Sequence, residues 1–186
     1  MDEKDKGLLL SLARDSIKSY FESKKPRLDE VKHLSDKRGV FVTLHDRGGR
    51  LRGCIGYPSP IYSLYTAVVE AARSAAFHDP RFPPLRKDEL DSIKIEISVL
   101  SLPELIEVSH INEYMKKITI GKDGLIMEGA YGSGLLLPQV ATENEFNVQQ
   151  FLNALSQKAG LSFNAWRETN NKVFKFQADV FSESQD

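Results

Sequence analysis

The chain has 186 residues, with 25 lysines and arginines against 26 aspartates and glutamates, a net charge of −1 and a single cysteine. That length can bury a substantial core without disulfides, and one cysteine excludes an internal bridge and a multi-cysteine zinc site, so a reducing, cytoplasmic setting is expected. The balanced charge also excludes a global basic field of the kind that holds a nucleic-acid backbone, which leaves only a local patch for such a partner.

Leu9, Leu12, Ala13, Ile17, Tyr20 and Phe21 recur at spacings of three and four and predict a first amphipathic helix. The opening MDEKDKGLLLSLARD lacks the basic region and long apolar run of a signal peptide. No apolar stretch approaches the roughly 20 residues that span a bilayer, so no membrane partner is expected. RGVFVTLHDRGGRLRGCIGY then reads as two β-rich runs joined around Asp-Arg-Gly-Gly, an antiparallel hairpin.

Ser59 followed by Pro60 predicts a helix start, and the stripe Ile61, Leu64, Tyr65, Val68, Val69, Ala72, Ala76 continues it to about His78. Pro80, Pro83 and Pro84 forbid its extension. SIKIEISVL alternates cleanly, with Ile93, Ile95, Ile97 and Val99 on one face of a strand and Lys94, Glu96 and Ser98 on the other.

ITIGKDGLIMEG predicts a second hairpin turning at Lys-Asp-Gly, and the glycines 129, 132 and 134 that follow read as a turn. Asn147 with Gln150 forms a capping box for a helix carrying Val148, Phe151, Leu152 and Leu155, stopped by Gly160, and KVFKFQADVF is a strand. Helices and strands mix without a regular βαβ beat, so the fold class is α+β, a mainly antiparallel or mixed sheet packed with helices.

The thiol strand carries the chemistry. Strict alternation over residues 51–57 puts Arg52, Cys54 and Gly56 on one face, where a guanidinium beside the sulfur would favour the nucleophilic thiolate over a free thiol of pKa about 8.5. Gly53 and Gly56 thin the backbone, as close approach of a ligand or of another backbone requires. A packing reading stands beside this one, because a free cysteine often serves as a small apolar filler.

In HDPRF, Asp79 and Arg81 can pair with each other, cap the helix, or act as ligands in a cleft. Glu96 becomes a general-base candidate if its face lines a pocket. The histidines at 33, 45, 78 and 110 lack metal-ligand spacing, and the glycine cluster lacks a Walker lysine, so neither metal nor cofactor is assigned.

The runs LRGCIGY, AAFHDPRFPPL, IEISVL, GLLLPQVA and KAGL with a following AW closely resemble, in this order and over roughly residues 8 to 181, the AMMECR domain family, named after the human Alport syndrome contiguous-gene region. The resemblance implies a single AMMECR-type domain over residues 1–186, with two unequal lobes and a cleft that the hallmark LRGCIG faces. It brings no established reaction. It implies an intracellular protein associated with Memo-like and radical-SAM-type proteins, and an older family-level suggestion points to translation, transcription or repair.

Carried onto this chain, the family pattern singles out Arg52, Gly53, Cys54 and Gly56, then Asp79, Arg81 and Phe82, then Glu96, then Pro138 and Gln139. Many relatives resemble a pattern with a histidine and a cysteine where this chain has Ala154 and Ser156, which puts a second thiol in doubt.

Two functional readings follow. In the first, a thiol-dependent enzyme or enzyme subunit uses Cys54 as nucleophile or ligand, with Glu96 or Asp79 handling protons and Arg52, Gly53, Gly56, Arg81, Phe82 and Gln139 binding a small anionic or peptide substrate. In the second, the same cleft is a non-catalytic binding or adaptor module for a small molecule, protein or nucleotide, with extended nucleic-acid binding disfavoured.

Overall fold

A computed structural model describes residues 1–184, and the chain divides into two compact units. The first comprises Met1–Leu100 together with the segment from Asp179 onward, and the second is Ser101–Ala178. Each has its own apolar core and its own four-stranded sheet.

In the first unit, helix α1 (Glu3–Phe21) is capped by Asp2, whose carboxylate accepts from the Asp5 amide at 2.7 Å. Its Leu9, Leu12, Ala13 and Ile17 stripe is buried, as the spacing requires. The sheet runs in the order β2 (Leu51–Tyr57), β1 (Val40–His45), β3 (Lys94–Leu100), β8 (Ala178–Ser182). β1 pairs antiparallel with both β2 and β3.

Period-two alternation sends Val40, Val42, Leu44, Ile95, Ile97 and Val99 into the core shared with α1 and with helix α2 (Leu64–Phe77). Each such side chain contributes roughly 1.5–3 kcal/mol by leaving water. The opposite face is left to Phe41, Thr43, His45, Lys94, Glu96 and Ser98. Small residues, Ala71, Ala72, Ala75 and Ala76, form the buried side of α2 and let its backbone come close to β2.

The second unit's sheet has the order β4 (Glu104–Leu105), β7 (Lys172–Phe176), β5 (Gly124–Gly129), β6 (Gly132–Leu136), with every neighbouring pair antiparallel. Around it lie the short helices α3 (Tyr114–Lys117) and α4 (Pro138–Glu143) and the longer α5 (Val148–Lys158). Phe151, Leu152 and Leu155 of α5 pack with Leu125, Met127, Val173 and Trp166. Asn147 and Gln150 close the expected capping box at 2.9 Å each way, and Gly160 takes φ +72° at the helix stop.

The structure differs from the local expectations in four places. KVFKFQADVF, expected as one strand, breaks at Gln177 into β7 and β8, which belong to different sheets. Helix α2 begins at Leu64, because a bridge between Lys37 and Ser63 holds the preceding residue extended and leaves Ile61 and Tyr62 exposed. The second hairpin turns at Ala130-Tyr131, one strand later than read, since Thr119 to Asp123 closes on itself through Asp123 N–H to Thr119 O and Thr119 N–H to the Asp123 carboxylate. Gly132 and Gly134 lie in β6, where a Cβ would overlap the backbone of Lys158 and Ala159, so they permit close packing of α5. Among the described residues no helix is long and apolar enough to cross a membrane.

Candidate functional site

The hairpin register aligns three side chains across the first sheet. Cys54 lies opposite Thr43, and Thr43 lies opposite Glu96, so thiol, hydroxyl and carboxylate form a row across β2, β1 and β3 on the face turned away from α1 and α2. β2 is the edge strand, and the backbone N–H and C=O of Cys54 bond outward rather than to β1. Cys54 and Thr43 are therefore a non-hydrogen-bonded pair, the closer type, and Thr43 Oγ1 donates to Cys54 Sγ at 3.3 Å. The thiol itself is half-buried.

What meets the outward Cys54 peptide is the loop after α2. Pro80 prevents helical continuation, Phe82 N–H bonds Asp79 O, and Leu85 N–H returns to Ala76 O, so residues 79–85 curl beside β2. Asp79 Oδ2 accepts from the Cys54 amide at 2.8 Å, and Arg81 Nη2 donates to the Cys54 carbonyl at 3.0 Å. A carboxylate and a guanidinium thus take the places of the acceptor and donor of an adjoining strand, which closes the sheet edge at this point.

The two side chains also bind each other. Asp79 accepts from Arg81 Nε at 2.9 Å, from Nη2 at 2.7 Å and from the Arg81 amide at 3.1 Å. The Arg81 guanidinium, followed by burial-opposing hydrogen bonds from the Cys54 and Arg81 amides, holds the Asp79 carboxyl far below the usual carboxylate range. Asp79 raises Arg81 in return, and the adjacent Cys54 sulfur adds to that rise.

Asp79 is 1% exposed while Arg81 is 54% exposed, so the anchor is inside and the cation is presented. Arg81 lies 5.5 Å from the centre of the Phe82 ring, and its Nη1 has no protein acceptor among the described residues.

Arg52 is placed differently from its expected position beside the thiol. The β1–β2 register shifts between Leu44 and His45, which pair with Gly53 and Leu51, so Arg52 is the extra residue of a β-bulge. A bulge re-aims its side chain, and Arg52 makes a bidentate pair with Glu89 at 3.0 and 3.2 Å and donates to Pro83 O at 3.0 Å. That pair lowers the Glu89 carboxyl. The cation next to the sulfur is Arg81.

The hallmark glycines answer internal crowding. A Cβ on Gly53 would overlap the carbonyl oxygen of Ala75, because α2 crosses there, and one on Gly56 would overlap the Phe41 ring and Val40 O. Gln139 belongs to the second unit, on α4 just after Pro138, and its Oε1 is buried with no hydrogen-bond partner among the described residues. Ser156 is fully buried, donating to Leu152 O and accepting from the Trp166 amide, and so serves packing in that unit.

The structure thus brings Asp79 and Arg81 to the Cys54 peptide with Phe82 beside Arg81, places Glu96 two strands away in the row of Cys54 and Thr43, and turns Arg52 toward Glu89. Sequence reasoning missed Thr43 and Glu89. Thr43 was legible in principle from the hairpin, but the bulge shifts the register by one residue near the turn. Glu89 lies 37 residues from its partner and leaves no local signal. Among the described residues no three His, Cys, Asp or Glu side chains converge to hold a metal.

The model of the AMMECR1 family matches residues 10–181. A protein of Methanocaldococcus jannaschii, MJ0810, is 47% identical over 92% of this chain and 86% of its own length. The Pyrococcus abyssi protein PYRAB00100 is 46% identical over 94% of this chain and 88% of its own. The crystal structure of the uncharacterized protein PH0010 from Pyrococcus horikoshii has a similar fold, with a TM-score of 0.87 and 41% identity, covering 99% of this chain and 94% of that one.

Proposed function

We propose, for a chain that belongs to the AMMECR1 family, that the Cys54 face of the first unit binds a small anionic or peptide ligand and modifies it through the thiol. The observation that carries this reading is the pairing of Cys54 with Arg81. A half-buried sulfur receives a hydrogen bond from Thr43, and the guanidinium bonded to its own peptide is half-exposed with Nη1 uncommitted.

The parts divide by geometry. The Thr43 hydroxyl donates to the Cys54 sulfur and fixes its position beside the ligand. Arg81, held flat by Asp79, offers its remaining donors to a carboxylate or phosphate on the ligand. Asp79 is a positioning residue: a carboxylate that accepts from Cys54 and three times from Arg81 has little basicity left for taking a proton. Glu96, two strands from Cys54 and hence about 10 Å away across the sheet, reaches the ligand rather than the sulfur.

A cytoplasmic setting fits a lone reduced thiol. Memo-like and radical-SAM-type proteins are the partners that the family resemblance suggests.

Reaction of the folded protein with iodoacetamide at neutral pH tests the reading. Modification at Cys54 at least as fast as in the urea-unfolded chain supports an addressable thiol. Protection until unfolding would mean a packed, structural cysteine and would leave a binding site centred on Arg81.

A further inference from the structure

The row that starts at Cys54 does not end at Glu96. Two residues back along β3 on the same face is Lys94, whose partner across the ladder is His45 at the end of β1. There the sheet opens into a depression of about 1020 Å³, lined among others by Arg14, His45, Arg47, Lys94, Glu96 and Glu183. Its volume is at the upper end of pockets that take small organic ligands. Glu96 belongs to both the row and the depression.

The charges of this depression fall into two groups. Arg14 is bound by Glu183 and by the carbonyls of Leu90 and Ile93, and Asp46 by Arg50, so these are committed to holding the fold. Glu96, Asp91, Lys94 and Arg47 have no ion-pair partner among the described residues, although Glu96 and Lys94 are same-face neighbours on one strand. Two carboxylates, Asp91 and Glu96, and two cations, Lys94 and Arg47, are therefore open to a ligand, and of these Glu96 also belongs to the thiol row.

That mixture of signs selects a ligand class. A polyphosphate would meet the carboxylates of Asp46, Asp91, Glu96 and Glu183 as well as the cations, and the lining has no Phe, Tyr or Trp on which a base could stack. A molecule with an ammonium at one end and a carboxylate at the other matches both signs.

We propose that the depression beside the Cys54 row takes the two ends of a short peptide, its ammonium at Glu96 and its terminal carboxylate at Lys94 and Arg47, which leaves Arg81 for an acidic side chain of the same ligand. This rests on the reading of the Cys54 face as a ligand site, and it names the ligand class.

The test is made on the Cys54→Ser full chain, labelled with ¹⁵N, so that recognition is read without thiol chemistry. Triglycine at millimolar concentration shifts the amide signals of His45, Lys94 and Glu96 saturably. N-acetyl-triglycine and triglycine amide each bind about tenfold more weakly. Glu96→Gln abolishes the penalty for acetylation, and Lys94→Met abolishes the penalty for amidation, while both keep a folded spectrum.

Absence of shifts with triglycine, or shifts produced by ATP or inorganic phosphate in its place, would overturn the peptide assignment. Equal binding of all three peptides would overturn it as well. None of these outcomes touches the alkylation of Cys54 in the unsubstituted protein, so a failed ligand assignment and a failed thiol reading are told apart.

Discussion

The amide of Cys54 donates to the carboxylate of Asp79 at 2.8 Å, 25 residues further along the chain, where an adjoining strand would otherwise bond. The LRGCIG strand and the DPRF loop are therefore one structural unit, joined through a peptide group and not through the thiol. Asp79→Ala leaves the Cys54 N–H without its acceptor and Arg81 without its anchor. We expect a loss of about 1–3 kcal/mol in urea unfolding, because a buried donor keeps its full desolvation cost when its partner is removed. A change within experimental error would mean that water replaces the carboxylate.

The same carboxylate sets a pH dependence. Its folded-state pKa lies below the unfolded value of roughly 3.9, so its contribution is fully present above that value and is lost as pH falls toward the folded pKa. The stability difference between the unsubstituted protein and Asp79→Asn should stay flat from pH 7 to about pH 5 and shrink only below about pH 4. Urea titrations at pH 7, 5, 4 and 3 check this. A difference that already falls between pH 7 and 5 would assign the effect to another group.

Gly53→Ala should be among the most damaging single-methyl changes in the chain. The added Cβ meets the backbone carbonyl of Ala75, which cannot move without shifting α2, so a loss of about 3 kcal/mol or more is expected from overpacking. Gly49→Ala, by contrast, has open space around its Cβ and is strained only by φ +75°, with an expected cost of about 1 kcal/mol. Thermal unfolding of the two variants side by side ranks them.

Much of this was legible in the sequence, and the failures have physical causes. Val40, Val42, Leu44 and Ile95, Ile97, Val99 alternate because one sheet face is buried, and the Asn147–Gln150 box announces α5 by local bonding alone. The β-rich pattern of LRGCIGY is strand β2, and the proline-broken HDPRF is the loop that bonds to it. Alternation puts Arg52 on the thiol's face, but it cannot foresee that Arg52 sits at a bulge and pairs with Glu89. Gly132 and Gly134 look like turn glycines in the sequence because close packing against a helix end and a turn demand the same residue.

Arg52 and Glu89 should behave as a structural pair. Their side chains are 13% and 25% exposed and bidentate, so a double-mutant cycle with Arg52→Ala and Glu89→Ala should give a coupling of about 1–2 kcal/mol in stability. Arg52→Ala should leave the alkylation rate of Cys54 within about twofold, after correction for any unfolded fraction. A large change in that rate would restore Arg52 as the thiol's cation.

The central claim, that Arg81 makes the Cys54 thiol a site for anionic ligands, is tested most directly by comparing two alkylating reagents of similar size and opposite demand. The ratio of iodoacetate to iodoacetamide rates at Cys54 in the folded protein, divided by the same ratio in the unfolded chain, should exceed one by about tenfold and fall to near one in Arg81→Ala. A normalised ratio at or below one in the folded protein, unchanged by Arg81→Ala, would contradict the account.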